Sequence, residues 1–136
     1  MRYWIFPGSD QKFRLDDFIR DYGFVEWNPK AVKNKIQEGD IAYIYITAPE
    51  MKICYKMVVE KVGIPFEEWF DDRSYSRVSS IEWPCSSDVK MVRLKFIKKL
   101  DSPMFGISFL IENGLSGINW IRELKEETVQ YIEKHI

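Results

Sequence analysis

GDIAYIYITAPEMKICYKMVVEKV, residues 39–62, is the stretch whose reading decides the fold. After Gly39-Asp40, IAYIYIT at 41–47 alternates two sets, Ala42, Ile44 and Ile46 on one face and Ile41, Tyr43, Tyr45 and Thr47 on the other. Both sets are largely apolar, so this strand is expected at the centre of a sheet. Ala48-Pro49-Glu50 makes a turn. ICYKMVVEKV, 53–62, then returns as the antiparallel partner, with Ile53, Tyr55, Met57 and Val59 facing one way and Cys54, Lys56, Val58 and Glu60 the other.

Upstream, RYWIF at 2–6 reads as a short strand stopped by Pro7-Gly8, because proline cannot donate to a ladder. From Phe13 to Tyr22 the apolar residues Phe13, Leu15, Phe18, Ile19 and Tyr22 follow helical spacing, and Gly23 suits the position just past the helix end. GFVEWNP, 23–29, is then read as a connector carrying an indole, Trp27, where small or polar residues are usual. Such a group either plugs the core or waits for something flat. Pro29 opens a short basic helix, AVKNKIQ, with Val32 and Ile36 on one face. Downstream, FEEWFDD at 66–72 fits one or two helical turns, and KMVRLKFIKKL at 90–100 is a strand with Val92, Leu94 and Phe96 inward and Arg93 and Lys95 outward. The segment 103–113 fits a strand or a short helix. KEETVQYIEKHI, 125–136, has acids in its first turn and Ile132 and Ile136 in one stripe, the marks of a terminal helix. Antiparallel strands interleaved with helices point to the α+β class with a curved or barrel-like sheet.

At 136 residues and 46% hydrophobic content the chain suits one domain spanning 1–136. A formal charge of −1 excludes a global basic field, so any nucleic-acid binding has to be local. Cys54 and Cys85 have no CxxC partner, which argues against a zinc site or a disulfide framework and for a reducing cytoplasm. With no long apolar run and no signal-peptide pattern, a soluble cytoplasmic protein that meets no membrane is expected.

Enzymatic constellations are sparse. The single histidine, His135, has no paired nucleophile, and no GxGxxG or Walker loop is present. The acid pairs Asp16-Asp17, Glu67-Glu68, Asp71-Asp72 and Glu126-Glu127 suit solvated faces and first turns better than acid-base work. A non-enzymatic protein without cofactor or metal is expected. Aromatic residues are in excess at 15%, and Trp27, Trp69, Tyr75, Trp83 and Trp120 all fall outside the clear strands. Each alone reads as core; together, at element ends, they suit a pocket for a flat heterocycle, since stacking on such walls is worth about 1–3 kcal/mol per base. Lys30, Lys33, Arg93 and Lys95 are the candidate phosphate contacts, with solvation of the surface as their ordinary alternative.

YWIFPGS (3–9), VEW (25–27), GDIAYIYIT, ICYKMVVEKV and the terminal GLSGINWIRELKEETVQYIEKHI (114–136), in this order and spacing, resemble the EVE domain. That family has a PUA-like fold similar to the YTH readers of methylated adenine. The resemblance implies a pseudo-barrel of mainly antiparallel strands flanked by helices, with a pocket for a flipped or single-stranded modified base. Family contacts fall on Pro7, Gly8 and Ser9 after the first strand, on Trp27, and on Tyr45, Thr47, Ala48 and Pro49 at the end of the central strand. Where YTH readers place a second cage tryptophan, the chain offers Trp69, Tyr75 or Trp83, and Trp83 is taken as the opposite wall. In place of an Arg-Asp-Gly near the end of YTH domains stands Glu112-Asn113-Gly114, which removes an acid and favours a 5-methylcytosine-type base over methylated adenine. The implied partner is DNA or RNA bearing that base, together with a partner protein such as a nuclease or motor subunit. Two alternatives stand beside this reading: a small PUA-like hydrolase or nuclease using Asp71-Asp72 or Asp10, and a metabolite-binding interaction module.

Overall fold

Strand β1 (Tyr3–Gly8) begins a six-stranded sheet that continues with β2 (Phe24–Trp27), β3 (Ile41–Ile46), β4 (Lys52–Ile64), β5 (Met91–Lys99) and β6 (Arg122–Glu123). Three helices, α1 (Leu15–Tyr22), α2 (Ile107–Glu112) and α3 (Glu126–Lys134), flank it. The computed structural model describes residues 1–78 and 84–136. The sheet order is β2-β5-β4-β3-β1-β6, with β1 parallel to β3 and every other pair antiparallel. Among the described residues no ladder joins the two ends of that order, so the α+β architecture stands with its sheet open rather than closed.

Two cores follow from the two-faced alternation of β3, every residue of which is buried. Ala42, Ile44 and Ile46 join Leu15, Phe18 and Ile19 of α1 in the first. Ile41, Tyr43 and Tyr45 join Leu110 of α2 and Ile132 of α3 in the second. Gly23 ends α1 in the left-handed region at φ 74°, its N–H donating to the Ile19 carbonyl at 2.7 Å.

Several expectations change against this frame. Pro7-Gly8 does not stop β1. The carbonyls of Arg2 and Gly8 accept from Ile41 and Thr47 across the ladder, so odd residues of β1 turn their backbone to the other side, where β6 reaches only Trp4 and Ile5. The donor that Pro7 lacks would have met no strand. Residues 24–27 are not a connector but an edge strand paired with β5, Trp27 opposite Val92. In β4 the period of two breaks: Ile44 pairs with Tyr55 and Tyr45 with Ile53, leaving Cys54 as a bulge. Ile53 therefore faces the second core, while Tyr55, Met57 and Val59 face the first. Phe96, expected inward, is 39% exposed, because it lies past the start of β2, where only the Gly23 carbonyl accepts its N–H. Ile136 likewise is exposed while Ile132 is fully buried. The basic segment after Pro29 is a single 3-10 turn, Lys30–Val32, and 66–75 holds two more, Phe66–Glu68 and Arg73–Tyr75. No helix among the described residues is long and apolar enough to cross a membrane.

Candidate functional site

Gly8 ends β1 and Trp27 ends β2, strands separated in the sheet by β3, β4 and β5. The two residues nevertheless touch. A Cβ built on Gly8 would lie 2.7 Å from Cη2 and 3.1 Å from Cζ2 of the indole, so only a residue without a side chain fits against the ring. Phe6 meets the same indole edge-on, with centroids 5.6 Å apart and planes at 81°. Side-chain contact across the mouth of the first core does what no ladder does, bringing the ends of β1 and β2 together. Gly8→Ala is expected to push the indole aside at a cost of about 1–2 kcal/mol from overpacking, seen as a changed near-ultraviolet dichroism band and a lower thermal midpoint.

Beside this contact lies a cleft of about 330 Å³. Phe13, Leu15 and Val25 give it apolar surface, Trp27 and Gly8 line one side, and Ser9, Asn28, Lys12 and Lys30 supply polar groups. Glu26 and Asp72 complete it. Local backbone chemistry sets the polar groups. The Asn28 Oδ1 accepts from the Lys30 N–H at 2.9 Å, holding a turn in which Lys30 has φ 52°. The Ser9 hydroxyl oxygen accepts from the Gln11 N–H at 3.2 Å.

The two acids differ. The Glu26 side chain is 4% exposed and fully engaged, with Oε2 2.6 Å from the Arg93 guanidinium and Oε1 accepting from the Phe70 N–H at 2.7 Å. Among the described residues the Asp72 carboxyl bonds no other residue, its own backbone N–H being its one donor. Burial pushes its carboxyl upward from its ordinary value, opposed by its own backbone N–H and reinforced by the charges of Glu26 and Asp71. Asp71, by contrast, is held below its ordinary value by Arg73, which donates to both of its oxygens at 2.9 and 2.6 Å.

Of the residues expected at the site, Gly8, Ser9, Trp27 and Lys30 line the cleft. The others are elsewhere. Tyr45 is fully buried in the second core, on the opposite face of β3, and its hydroxyl has no partner among the described residues. Thr47 contributes its N–H to the Gly8 carbonyl at 2.9 Å, which fixes the end of β1. Pro7 pairs with Tyr45 across the ladder, and Ala48 and Pro49 are exposed in the turn between β3 and β4. Trp83 lies outside the described residues. Trp69 packs edge-on against Phe66 at 4.9 Å and donates to the Ile64 carbonyl, and Tyr75 packs on Phe18. Lys33 joins Lys30 at a neighbouring hollow with Asp88 and Lys90. Arg93 is drawn to Glu26 and lies 4.5 Å above the Phe24 ring, while Lys95 sits opposite Phe24 and 3.8 Å from Glu60.

Sequence reading missed Asn28 and Lys12 at the cleft and took Asp72 together with Asp71, as a solvated pair or as the acids of a nuclease. The Asn-Pro dipeptide at 28–29 was the available signal, since it favours a turn with the amide folded back on the backbone. Among the described residues no Ser, Thr or Cys side chain is hydrogen-bonded to the histidine. Burial pushes the Cys54 thiol up to about 11, which keeps it protonated at neutral pH, and the His135 Nδ1 lies 2.7 Å from the Tyr131 carbonyl at a helix end. Among the described residues no group of three or more His, Cys, Asp or Glu side chains is placed to hold a metal ion.

Solved structures share this arrangement over nearly the whole chain. A hypothetical protein from Leishmania major superposes with a TM-score of 0.65 at 17% identity, covering 98% of this chain and 93% of its own. The ASCH protein from Zymomonas mobilis gives 0.62 at 9%, covering 98% and 94%. Human THYN1, solved in complex with 5-methylcytosine-containing DNA, gives 0.63 at 15%, covering 98% and 96%. The fold is PUA-like and is shared with these proteins. No family profile matches the sequence. No curated protein matches it either. In this PUA-like sheet the parallel β1–β3 pair carries Gly8 to the mouth of the first core, where Trp27 meets it.

Proposed function

We propose that the chain is a non-enzymatic module that takes a modified base of DNA or RNA into the Trp27 cleft, with a 5-methylcytosine-type base ahead of methylated adenine. The observation that carries this reading is the placement of Trp27: an indole held by Gly8 and Phe6 beside an open, largely apolar cleft. At about 330 Å³ the cleft is at the small end of the range of about 300–1,000 Å³ for ligand pockets, which suits one base rather than a dinucleotide. Stacking on such a wall contributes about 1–3 kcal/mol per base. The likeness to THYN1, whose structure contains 5-methylcytosine DNA, supports the choice of ligand.

A base in this cleft has left its stack, which in a duplex costs a few kcal/mol, so single strands bind more tightly than duplexes. Lys12 and Lys30 at the rim provide two phosphate contacts. With only two, the logarithm of affinity is expected to fall with the logarithm of salt at a slope of about −1.4 to −1.8. That weak grip suits a module working beside a nucleic-acid-acting partner such as a nuclease or motor subunit. Of the three acids of the nuclease alternative, Asp71 is held by Arg73 and Asp10 by Arg77 at 3.6 Å, which leaves Asp72 without the second carboxylate that acid-base or metal-assisted cleavage would use.

The test is tryptophan fluorescence titration with short strands and duplexes bearing a single cytosine, 5-methylcytosine, adenine or methylated adenine. The 5-methylcytosine strand is expected to bind about fourfold more tightly than the cytosine strand, the effect of about 0.8 kcal/mol for one buried methyl. Trp27→Ala is expected to abolish the response while far-ultraviolet dichroism stays that of the folded protein. Unaltered affinity in that variant would overturn the reading.

A further inference from the structure

Asp72 is the one carboxylate lining the cleft that bonds no other residue among those described, since Glu26 is held by Arg93 and by the Phe70 N–H. A partly desolvated acceptor whose one protein donor is its own backbone N–H is short of partners, and its natural complement is an N–H group on the ligand. The neighbouring polar groups have the opposite character. Because Asn28 Oδ1 already accepts from the Lys30 backbone, its amide nitrogen keeps both protons to donate. Because the Ser9 oxygen accepts from Gln11, its O–H is likewise left to donate. Besides the ammonium groups of Lys12 and Lys30, the lining thus offers one carboxylate acceptor and two neutral donors to whatever lies flat against Trp27.

We propose, resting on the base-reading function above, that Asp72 accepts a hydrogen bond from the exocyclic amino group of the bound base, with Asn28 and Ser9 facing its ring nitrogen and carbonyl. The site then takes amino pyrimidines of the cytosine class and rejects keto pyrimidines. Cytosine presents the N4 amino donor beside the N3 and O2 acceptors, which matches. Thymine and uracil present the O4 acceptor and the N3–H donor, which places an oxygen against the carboxylate and a proton against the donors. The upward push on the Asp72 carboxyl by burial and by Glu26 agrees with an acceptor short of donors.

5-Methylcytosine and thymine carry the same methyl group and differ only along this edge, so they isolate the effect. Single strands identical except for one 5-methylcytosine or one thymine are titrated into the wild type and into Asp72→Asn. The wild type is expected to prefer 5-methylcytosine by about tenfold or more, within the range for a well-made base contact. Asp72→Asn, whose amide can donate to O4, is expected to lose or invert that preference while Trp27-dependent quenching persists with both strands. Its thermal midpoint should match the wild type, because the Asp72 carboxyl bonds no other residue among those described and asparagine keeps an oxygen for its own backbone N–H. Equal affinities in the wild type, or an unchanged preference in Asp72→Asn, would overturn the proposal and leave the Trp27 reading standing. Absence of Trp27-dependent quenching with every strand would overturn both.

Discussion

Phe18→Ala is expected to destabilise the protein by about 3–5 kcal/mol, at the upper end for a buried aromatic truncated to alanine. Phe18 is 1% exposed and sits at the centre of a ring cluster. Tyr75, Phe70 and Phe24 meet it edge-on at 5.0, 5.6 and 5.8 Å, and Tyr22 and Phe13 meet it tilted at 4.8 and 5.7 Å. Removing the central ring takes away several favourable edge contacts and leaves a cavity, because its neighbours come from α1, from β2 and from the segment after β4 and cannot all close in. Urea denaturation gives the number, and a loss under about 1.5 kcal/mol would show that the cluster repacks. The site should feel the same change. Phe70 and Tyr75 bracket Asp72 in sequence, so the cluster is what holds that acid over the cleft. Phe18→Leu, a milder loss, is expected to weaken discrimination between 5-methylcytosine and thymine before it unfolds the protein.

The parts of this architecture that were legible in the sequence are those fixed by short-range pattern. The all-apolar alternation of 41–46, the spacing from Leu15 to Tyr22 with Gly23 behind it, and the acids at the start of α3 each state their structure within one window. Features that depend on distant partners did not show. Strand β2 has four residues and exists because β5, about 70 positions later, pairs with it. The bulge at Cys54 follows from how β4 fits β3, and one extra residue there reverses the facing of Ile53. The candidate site divides in the same way. Trp27 was conspicuous because an indole seldom sits between two helical segments, whereas its contact with Gly8 spans the sheet from one edge strand to the other side of its centre. The resemblance to the EVE domain put Tyr45 at the pocket, yet in a two-faced strand that residue points to the opposite core. Asp72 looked like half of an ordinary acid pair until the engagement of Asp71 with Arg73 separated the two.

Asp40→Ala is expected to cost about 3 kcal/mol, because it strips three donors of one acceptor at once. The Asp40 side chain is buried and accepts from the Arg2 N–H at 3.1 Å, from the Trp4 indole N–H at 2.9 Å and from the Gln37 N–H at 3.0 Å. A buried carboxylate that forms no ion pair among the described residues is tolerable only when donors of this kind surround it. In the alanine variant the indole N–H of Trp4, itself 1% exposed, is left buried without a partner. Asp40→Asn keeps one acceptor oxygen and should lose about half as much, so the two variants together separate hydrogen bonding from packing. A loss below about 1 kcal/mol for Asp40→Ala would mean that water replaces the carboxylate. The position matters beyond stability. Asp40 ties the start of β1 to the turn that leads into β3, next to the bond from the Ile41 N–H to the Arg2 carbonyl that opens their parallel ladder. That ladder runs from Tyr3 opposite Ile41 to Gly8 opposite Ile46. A slip at its beginning displaces Gly8 at its end, and the indole of Trp27 has room only where Gly8 stands. Asp40→Ala is therefore expected to weaken base-dependent quenching even under conditions where the variant remains folded, although Asp40 lines no part of the cleft.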